Sequence, residues 1–415
     1  MISSKPLPIT KVMVWEAYKL VKGKGEAAGV DEQSLTAFAS DLGNNLYKLW
    51  NRLASGSYFP PPVRRVDIPK VSGGRRPLGI PTVADRIAQM VVKQYLEPEV
   101  DARFHPDSFG YRPGKSAHQA VQRARERCWR YDWVVDLDIE GFFDSIDHGL
   151  LMRALRRHTR EVWVLLYIER WLTAPVLMPE GMLRERAAGT PQGGVVSPLL
   201  ANLFLHYVFD MWMRKHFPRV VFERYADDAI CHCRTRWEAE SLKAALEQRF
   251  AACHLRLHPQ KTRVVYCRDS NRRAVYPCVQ FTFLGFCFRP RMAKNRWGGL
   301  FTNFLPAVSP QALKRMRARI RSWRLPKRAH LSLGEIARVV NPILRGWWQY
   351  YGRFYPTELR KLFEYFDERL GAWLRQKHKH LRGHRGRSLR TLNGIAQREP
   401  SLFVHWQRLG RATVG

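Results

Sequence analysis

The sequence predicts an α+β body followed by a basic, all-helical appendage. Three observations predict it. Through the first 290 residues, segments with a two-residue apolar period alternate with segments at the helical period, whereas beyond Pro310 only the helical period remains. Charge divides at nearly the same place: of a net +34, the 125 residues from Arg291 onward carry +21 and the first 290 carry +13. The acids are therefore concentrated in the first part, several of them at the ends of candidate strands. With 415 residues, 45% of them hydrophobic, the chain can fill several cores, which excludes wholesale disorder.

Taken in order, residues 14–21 and 42–53 read as short amphipathic helices. Gly56-Ser57-Tyr58 and Pro60-Pro61-Pro62 then break the chain. Residues 63–69 alternate toward a strand, Ser72-Gly73-Gly74 makes a turn, and the return arm carries Arg75, Arg76 and Leu78, so a hairpin is expected. Residues 84–96 predict a helix, 131–139 a strand, and a further helix starts near Asp147 and passes Arg156. Residues 198–214 are apolar on most sides and predict a long buried helix. Strands over 220–225 and 229–233 flank an acidic turn, and the capping pattern Thr235-Arg236-Trp237-Glu238 opens a helix over 237–252. Strands near 263–266 and 280–288 close the body. The join is expected over 288–310, where Gly298-Gly299, Pro306 and Pro310 interrupt any helix. Helices follow over 311–323, 333–354 (interrupted at Pro342) and 357–377.

A surplus of +34 favours a nucleic-acid partner over small acidic substrates, which need a pocket and not a whole basic surface. The longest apolar stretches are too short to span a bilayer, so no membrane partner is expected. The opening MISSKPLPITKV has no apolar signal core, which points to the cytoplasm. Seven cysteines without a C-x-x-C pair read as reduced thiols. Cys231-His232-Cys233 with Cys253-His254 matches no tetrahedral zinc spacing.

Chemistry is concentrated in two acidic segments. Arg224-Tyr225-Ala226-Asp227-Asp228-Ala229-Ile230 places adjacent carboxylates at a hairpin tip between apolar strands. Alone, an Asp-Asp pair is most simply a turn. The second segment changes that reading: in Val134-Val135-Asp136-Leu137-Asp138-Ile139-Glu140 a period of two puts Asp136, Asp138 and Glu140 on one face. One strand-end carboxylate beside two at a hairpin can hold two Mg²⁺ ions about 4 Å apart for in-line phosphoryl or nucleotidyl transfer. Asp136, Glu140, Asp144 and Asp147 read as solvated or capping acids.

These segments, with other boxes in the same order, resemble the reverse transcriptase/maturases encoded by bacterial group II introns. The residues that carry the resemblance are Asp138 with Phe143, Tyr225-Ala226-Asp227-Asp228, and Thr190-Pro191-Gln192-Gly193-Gly194-Val195-Val196-Ser197-Pro198. Supporting boxes are Ile68-Pro69-Lys70 with Arg76-Pro77-Leu78-Gly79-Ile80-Pro81, Ser108-Phe109-Gly110-Tyr111-Arg112-Pro113, Lys261-Thr262-Arg263 and Phe283-Leu284-Gly285-Phe286. Asn341-Pro342-Ile343-Leu344-Arg345-Gly346-Trp347-Trp348 with Tyr350-Tyr351 is similar to the maturase (thumb) segment.

The resemblance implies a right-hand polymerase: an N-terminal helical extension over 1–60, fingers and palm with an antiparallel sheet over 61–290, a thumb/maturase domain over 291–380, and a basic tail over 381–415. It implies that Asp138, Asp227 and Asp228 form the catalytic triad and, with Ile139, bind two Mg²⁺ ions, with Mn²⁺ as a substitute. It places Lys70 and Arg76 (Arg75 if the register slips) on the triphosphate of an incoming dNTP, with Phe143 excluding the ribose 2′-hydroxyl, Gln192 beside the nucleotide and Lys261 near the triphosphate. Phe142 or Phe143 must be core, and alternation does not say which. Arg112, Arg315, Arg319, Arg345 and Arg353 are the expected nucleic-acid contacts; near the last four, Trp323, Trp347, Trp348, Tyr350, Tyr351, Phe354 and Tyr355 interleave aromatics with bases.

The implied activity is RNA-directed DNA synthesis on an RNA template from a DNA or RNA primer, with binding of the structured intron RNA and target DNA to support splicing and mobility. Many relatives continue into an HNH endonuclease with paired cysteines. This sequence has no cysteine after Cys287, so it looks like the shorter class C-associated form and no DNA nicking is expected. Two rivals stand beside this reading: a non-catalytic RNA-binding splicing factor, and a domesticated reverse transcriptase in defence or repair.

Overall fold

The computed structural model describes residues 7–23, 25–69 and 74–409, and the chain divides into two compact units. The first holds residues up to 120 together with 134–264; the second holds 121–133 and everything from 265 onward.

In the first unit the expected hairpin is present. Strand β1 (Val63–Pro69) runs antiparallel to β2 (Arg75–Ile80), with Ile68 opposite Arg76. Most of the turn expected at Ser72-Gly73-Gly74 lies outside the described residues. Thr82 then caps the helix Val83–Arg103 by accepting the Asp85 N–H at 3.1 Å. That helix buries Ile87, Met90, Val91, Leu96 and Val100, and with them the polar Asp85 and Gln89. β3 (Trp133–Leu137) carries the first acidic segment, and the short strands β4 (Val176–Leu177) and β5 (Leu183–Arg184) extend the hairpin sheet to the order β2-β1-β4-β5.

The apolar segment after Val196 is helical throughout, but not uniformly α. Ser197–Leu205 is α-helical, His206–Asp210 is a π-helical turn, and Met211–His216 resumes the α-helix. The π turn inserts one residue into the helical count and so re-aims the side chains after it. β6 (Val221–Tyr225) and β7 (Asp228–Cys233) pair antiparallel and, with β3 and β8 (Arg263–Tyr266), form a sheet in the order β6-β7-β3-β8.

In the second unit β9 (Phe281–Phe283), β10 (Phe286–Lys294) and β11 (Leu300–Val308) form a separate sheet, with Phe286 opposite Val308 and Lys294 opposite Leu300. The join expected over 288–310 is thus a long hairpin. Its inner ends are buried on both faces, which erases the two-residue period, and the Gly298-Gly299 break is its turn, with Gly298 at φ +89.

Helices Pro310–Ser322, Leu333–Tyr351 and Thr357–Lys377 follow, packed around Ile320, Trp323, Leu344, Phe363, Phe366 and Trp373. The interruption expected at Pro342 does not occur: the helix runs through it, and burial of Ile336, Ala337, Val340 and Leu344 offsets the lost hydrogen bond. Part of the basic tail is folded too. Arg385–Arg398 and Val404–Leu409 are helical, Phe403 and Trp406 join the core, and Asp367 Oδ1 accepts from Trp406 Nε1 and bonds His405 Nε2, both at 2.9 Å.

Among the described residues no helix is long and apolar enough to cross a membrane. None of the seven cysteines is in a disulfide, and six of them are buried.

Candidate active site

The turn between β6 and β7 is held from several sides. Tyr225 pairs with Asp228 across the hairpin, so Ala226 and Asp227 form a two-residue connection, and Ala226 takes φ +57. A left-handed conformation at a non-glycine residue costs about 1–2 kcal/mol and persists only where its surroundings enforce it. The enforcement is visible. Arg224 donates from Nη1 to the Ala226 carbonyl at 3.1 Å and to Asn202 Oδ1 at 2.9 Å, while Nε and Nη2 each bond a different oxygen of Asp210 at 2.7 Å. Asn202 in turn donates to the Gly110 carbonyl at 2.6 Å, and Phe109 N–H donates to the Arg224 carbonyl at 2.8 Å. Gly110 lies so close that an added Cβ would stand 2.3 Å from the Ala226 nitrogen. The Ser108-Phe109-Gly110-Tyr111 box is therefore the bed of the acidic turn.

Asp138 follows β3 directly. Its carbonyl accepts the His258 N–H at 2.8 Å, its N–H donates to Thr262 Oγ1 at 3.3 Å, and its carboxylate receives the Lys261 ammonium at 3.1 Å. Ile139 is buried and bridges to Leu257. The three expected carboxylates converge closely enough to repel one another. Burial, then Asp227 and Asp138 beside it, push Asp228 up to about 7, against the pull of Lys261, although the residue keeps an exposed edge. Asp227 is likewise raised, chiefly by burial and in part by Asp138, and opposed by Arg76.

A fourth acid belongs to the cluster. Asp136 is raised to about 7 by burial, with Arg263 opposing and Asp228 and Asp138 adding to the rise. It is thus not the solvated acid expected of it; the two-residue period on β3 is the signal, since it puts Asp136 on the Asp138 face. Glu140 does face solvent near Arg256, and Asp147 caps the helix His148–Leu155 through the Leu150 N–H at 2.7 Å.

The β1–β2 hairpin brings its cation to the same place. Arg76 Nε donates to Gln192 Oε1 at 2.5 Å and acts electrostatically on Asp227, whereas among the described residues Arg75 has no side-chain hydrogen bond to either. Lys70 lies outside the described residues. The Gln192 loop is clasped to β2: Gly79 N–H donates to the Gln192 carbonyl at 2.7 Å, and a Cβ on Gly193 (φ +121) would stand 2.4 Å from the Gly79 oxygen. Behind the loop, Gln89 Oε1 accepts the Val195 and Val196 N–H groups at 2.7 and 3.3 Å while its amide donates to Asp85 at 2.9 Å. Sequence reasoning misses Gln89; a polar i,i+4 pair on an otherwise apolar helix face is the signal that could have found it. Both rings are buried: Phe142 packs on Phe204, and Phe143 sits beside it with its carbonyl accepting the Thr190 N–H at 2.7 Å.

The expected nucleic-acid contacts separate into two kinds. Arg112 is turned inward, with an 8% exposed side chain that bonds the Asp101 carboxylate and the carbonyls of Asp101, His105 and Ser108. It braces the bed of the acidic turn and does not face a ligand, which corrects its expected role. Arg315, Arg319, Arg345 and Arg353 are exposed, and none has an acidic partner among the described residues. The aromatics near them are largely structural: Trp323 stacks on Trp347, and Tyr350, Tyr351 and Phe354 pack on Phe286.

For divalent cations the donor chemistry fits. Hard carboxylate oxygens, raised by burial first and then by mutual repulsion, are groups that a cation would relieve. As they stand, no three or more His, Cys, Asp or Glu side chains among the described residues are grouped closely enough to hold a metal ion.

Comparison with known proteins places this geometry. Residues 68–288 match the family described as reverse transcriptase (RNA-dependent DNA polymerase), and residues 313–392 match the group II intron, maturase-specific domain. The chain is 31% identical to protein YkfC of Escherichia coli over 282 residues, 58% of this chain and 73% of YkfC. It is 34% identical over 209 residues to the group II intron-encoded protein LtrA of Lactococcus lactis, 49% of this chain and 34% of LtrA. Against the putative COX1/OXI3 intron 1 protein of Saccharomyces cerevisiae it is 30% identical over 206 residues, 49% of this chain and 24% of that protein. The chain thus spans most of YkfC but only about a third or less of the other two. An acidic hairpin beside a strand-end aspartate, followed by a maturase domain, identifies the chain as a member of the group II intron-encoded family of reverse transcriptases.

Proposed function

We propose that Asp138, Asp227 and Asp228 are the catalytic carboxylates of RNA-directed DNA synthesis, and that the maturase domain acts on structured intron RNA. The observation that carries this reading is the convergence of the three acids, distant in sequence, on one mutually repelling cluster beside the Arg76–Gln192 pair. Divalent ions, which the family generally uses, would be held by Asp138, Asp227 and Asp228 and would acidify the primer 3′-hydroxyl and neutralise charge on the phosphate it attacks.

The chain's own residues do the rest. Arg76 exchanges Gln192 for the dNTP triphosphate, a planar guanidinium being suited to two phosphate oxygens at once. Lys261, 60% exposed beside Asp138, stands where it can donate to the departing pyrophosphate. Phe143, fixed through its carbonyl to Thr190, presents the flat wall that rejects a 2′-hydroxyl. Arg315, Arg319, Arg345 and Arg353 track RNA or target-DNA phosphates.

Primer extension on an annealed RNA template tests the reading, with Asp227→Ala as the comparison. Loss of incorporation in the variant with RNA binding retained is expected; equal extension by both proteins removes the polymerase site and leaves an RNA-binding splicing factor.

A further inference from the structure

Apart from the polymerase carboxylates, the first unit has an open cavity of 510 Å³ at the corner between the helices His148–Leu155 and Val162–Thr173. It is lined by Arg103, Arg156, Arg157 and Arg160, with His158, Thr159 and Tyr207. The four arginines are exposed. Their one ion pair among the described residues joins Arg103 to Glu99 at 3.5 Å on the surface, and Arg157 lies over the Tyr207 ring at 5.7 Å. So much like charge around one hollow is unfavourable in an otherwise empty cavity and favourable around a polyanion.

The floor of the cavity is more specific. His158 is 5% exposed, its Nε2 is 2.8 Å from the Tyr207 hydroxyl, and its buried Nδ1 has no hydrogen-bond partner among the described residues. Burial first, then Arg103 and His206, hold this imidazole below its ordinary value. Four guanidiniums around one open hollow are a donor set for phosphate oxygens.

We infer that this cavity binds backbone phosphates of RNA, as a second anchoring point separate from the polymerase site. The spread of arginines along an open rim suits successive phosphates of a polymer, and the lack of an aromatic platform beyond the half-buried Tyr207 suits recognition of backbone and shape, not bases. The inference rests on RNA being the partner, as proposed above, but uses none of the catalytic residues.

The test uses the full chain and the double variant Arg156→Gln/Arg160→Gln, two exposed positions without an ion pair among the described residues. The probe is a fluorescent RNA stem–loop titrated at several salt concentrations. The expected result is several-fold weaker binding with a log–log salt slope shallower by about 2, largely recovered by Arg156→Lys/Arg160→Lys, while extension of a short annealed template–primer is unchanged. Unchanged affinity and slope overturn the inference. So does a melting-temperature rise with inorganic phosphate that the double variant loses while its RNA affinity stays intact, since the cavity is then a free-phosphate site. Failure of the wild-type protein to extend a primer would instead count against the polymerase reading and leave the stem–loop comparison standing.

Discussion

Arg224 and Asp210 form a buried, two-pronged ion pair behind the turn that carries Asp227 and Asp228, each contact 2.7 Å long and both side chains at most 1% exposed. The π-helical turn His206–Asp210 aims the carboxylate, and burial, which would raise Asp210, is outweighed by the guanidinium, which holds it below the usual carboxylate range. Because the same guanidinium also holds the Ala226 carbonyl, stability and geometry of the acidic turn are coupled through one side chain.

Asp210→Asn leaves a buried guanidinium without its counter-charge. The expected cost is about 3–5 kcal/mol of unfolding free energy, read by urea denaturation. Arg224→Lys keeps the charge but cannot reach Asp210, Asn202 and Ala226 together, so it should lose less stability than Asp210→Asn while still slowing primer extension. Wild-type extension by Arg224→Lys would mean that the turn holds its shape without the fork.

Gly110→Ala should misplace the acidic turn. Its Cβ would meet backbone atoms of Ala226 and Tyr225 at 2.3 and 2.8 Å, and backbone cannot swing aside as a flexible side chain can. Displacement by about 1 Å can cost on the order of 100-fold in rate. Single-nucleotide incorporation should fall accordingly with stem–loop RNA affinity retained; undiminished incorporation contradicts the close-packing argument.

Gln89→Leu removes the acceptor shared by the Val195 and Val196 N–H groups, with an expected stability loss of about 1–3 kcal/mol. As Gln89 steadies the loop of Gln192 and makes no hydrogen bond to Asp138, Asp227 or Asp228 among the described residues, the dNTP KM should rise more than kcat falls. A drop confined to kcat would place its influence elsewhere.

Asp85 sets a pH dependence that one variant isolates. It is buried, accepts from Tyr58, Trp171 and Gln89, and is raised to about 6 from 3.8, chiefly by burial. An acid raised in the folded state binds its proton more tightly there than in the unfolded chain. Stability therefore declines as pH climbs from about 4 to about 6, with roughly 3 kcal/mol lost by this group above that window. Urea melts of the wild type and Asp85→Asn across pH 4 to 8 should diverge over that interval and run parallel above it.

Much of this was legible in the sequence because it depends on local pattern. The period of two on β3 and the apolar strands around Asp227 and Asp228 place carboxylates at strand ends, and the position of Arg76 on the return arm of the hairpin follows from its turn. What was not legible depends on partners far along the chain. Nothing near Arg224 announces that it will meet Asp210, because a one-residue π insertion does not alter hydrophobic patterning. Arg112 reads as any surface arginine until Asp101 and three carbonyls surround it. Residues 288–310 hide a hairpin because burial on both faces removes the alternation, and Pro342 reads as the break in a helix whose apolar side is strong enough to keep it whole.

The shared grip of His405 and Trp406 on Asp367 makes the last described helix a keystone for its neighbours. Shortening the gene before Phe403 would strip an indole and a phenyl ring from the helical core and take two ring N–H partners from the Asp367 carboxylate. A protein engineer seeking a smaller enzyme should expect an insoluble product from such a cut, whereas attaching a label beyond Leu409 leaves that plug in place.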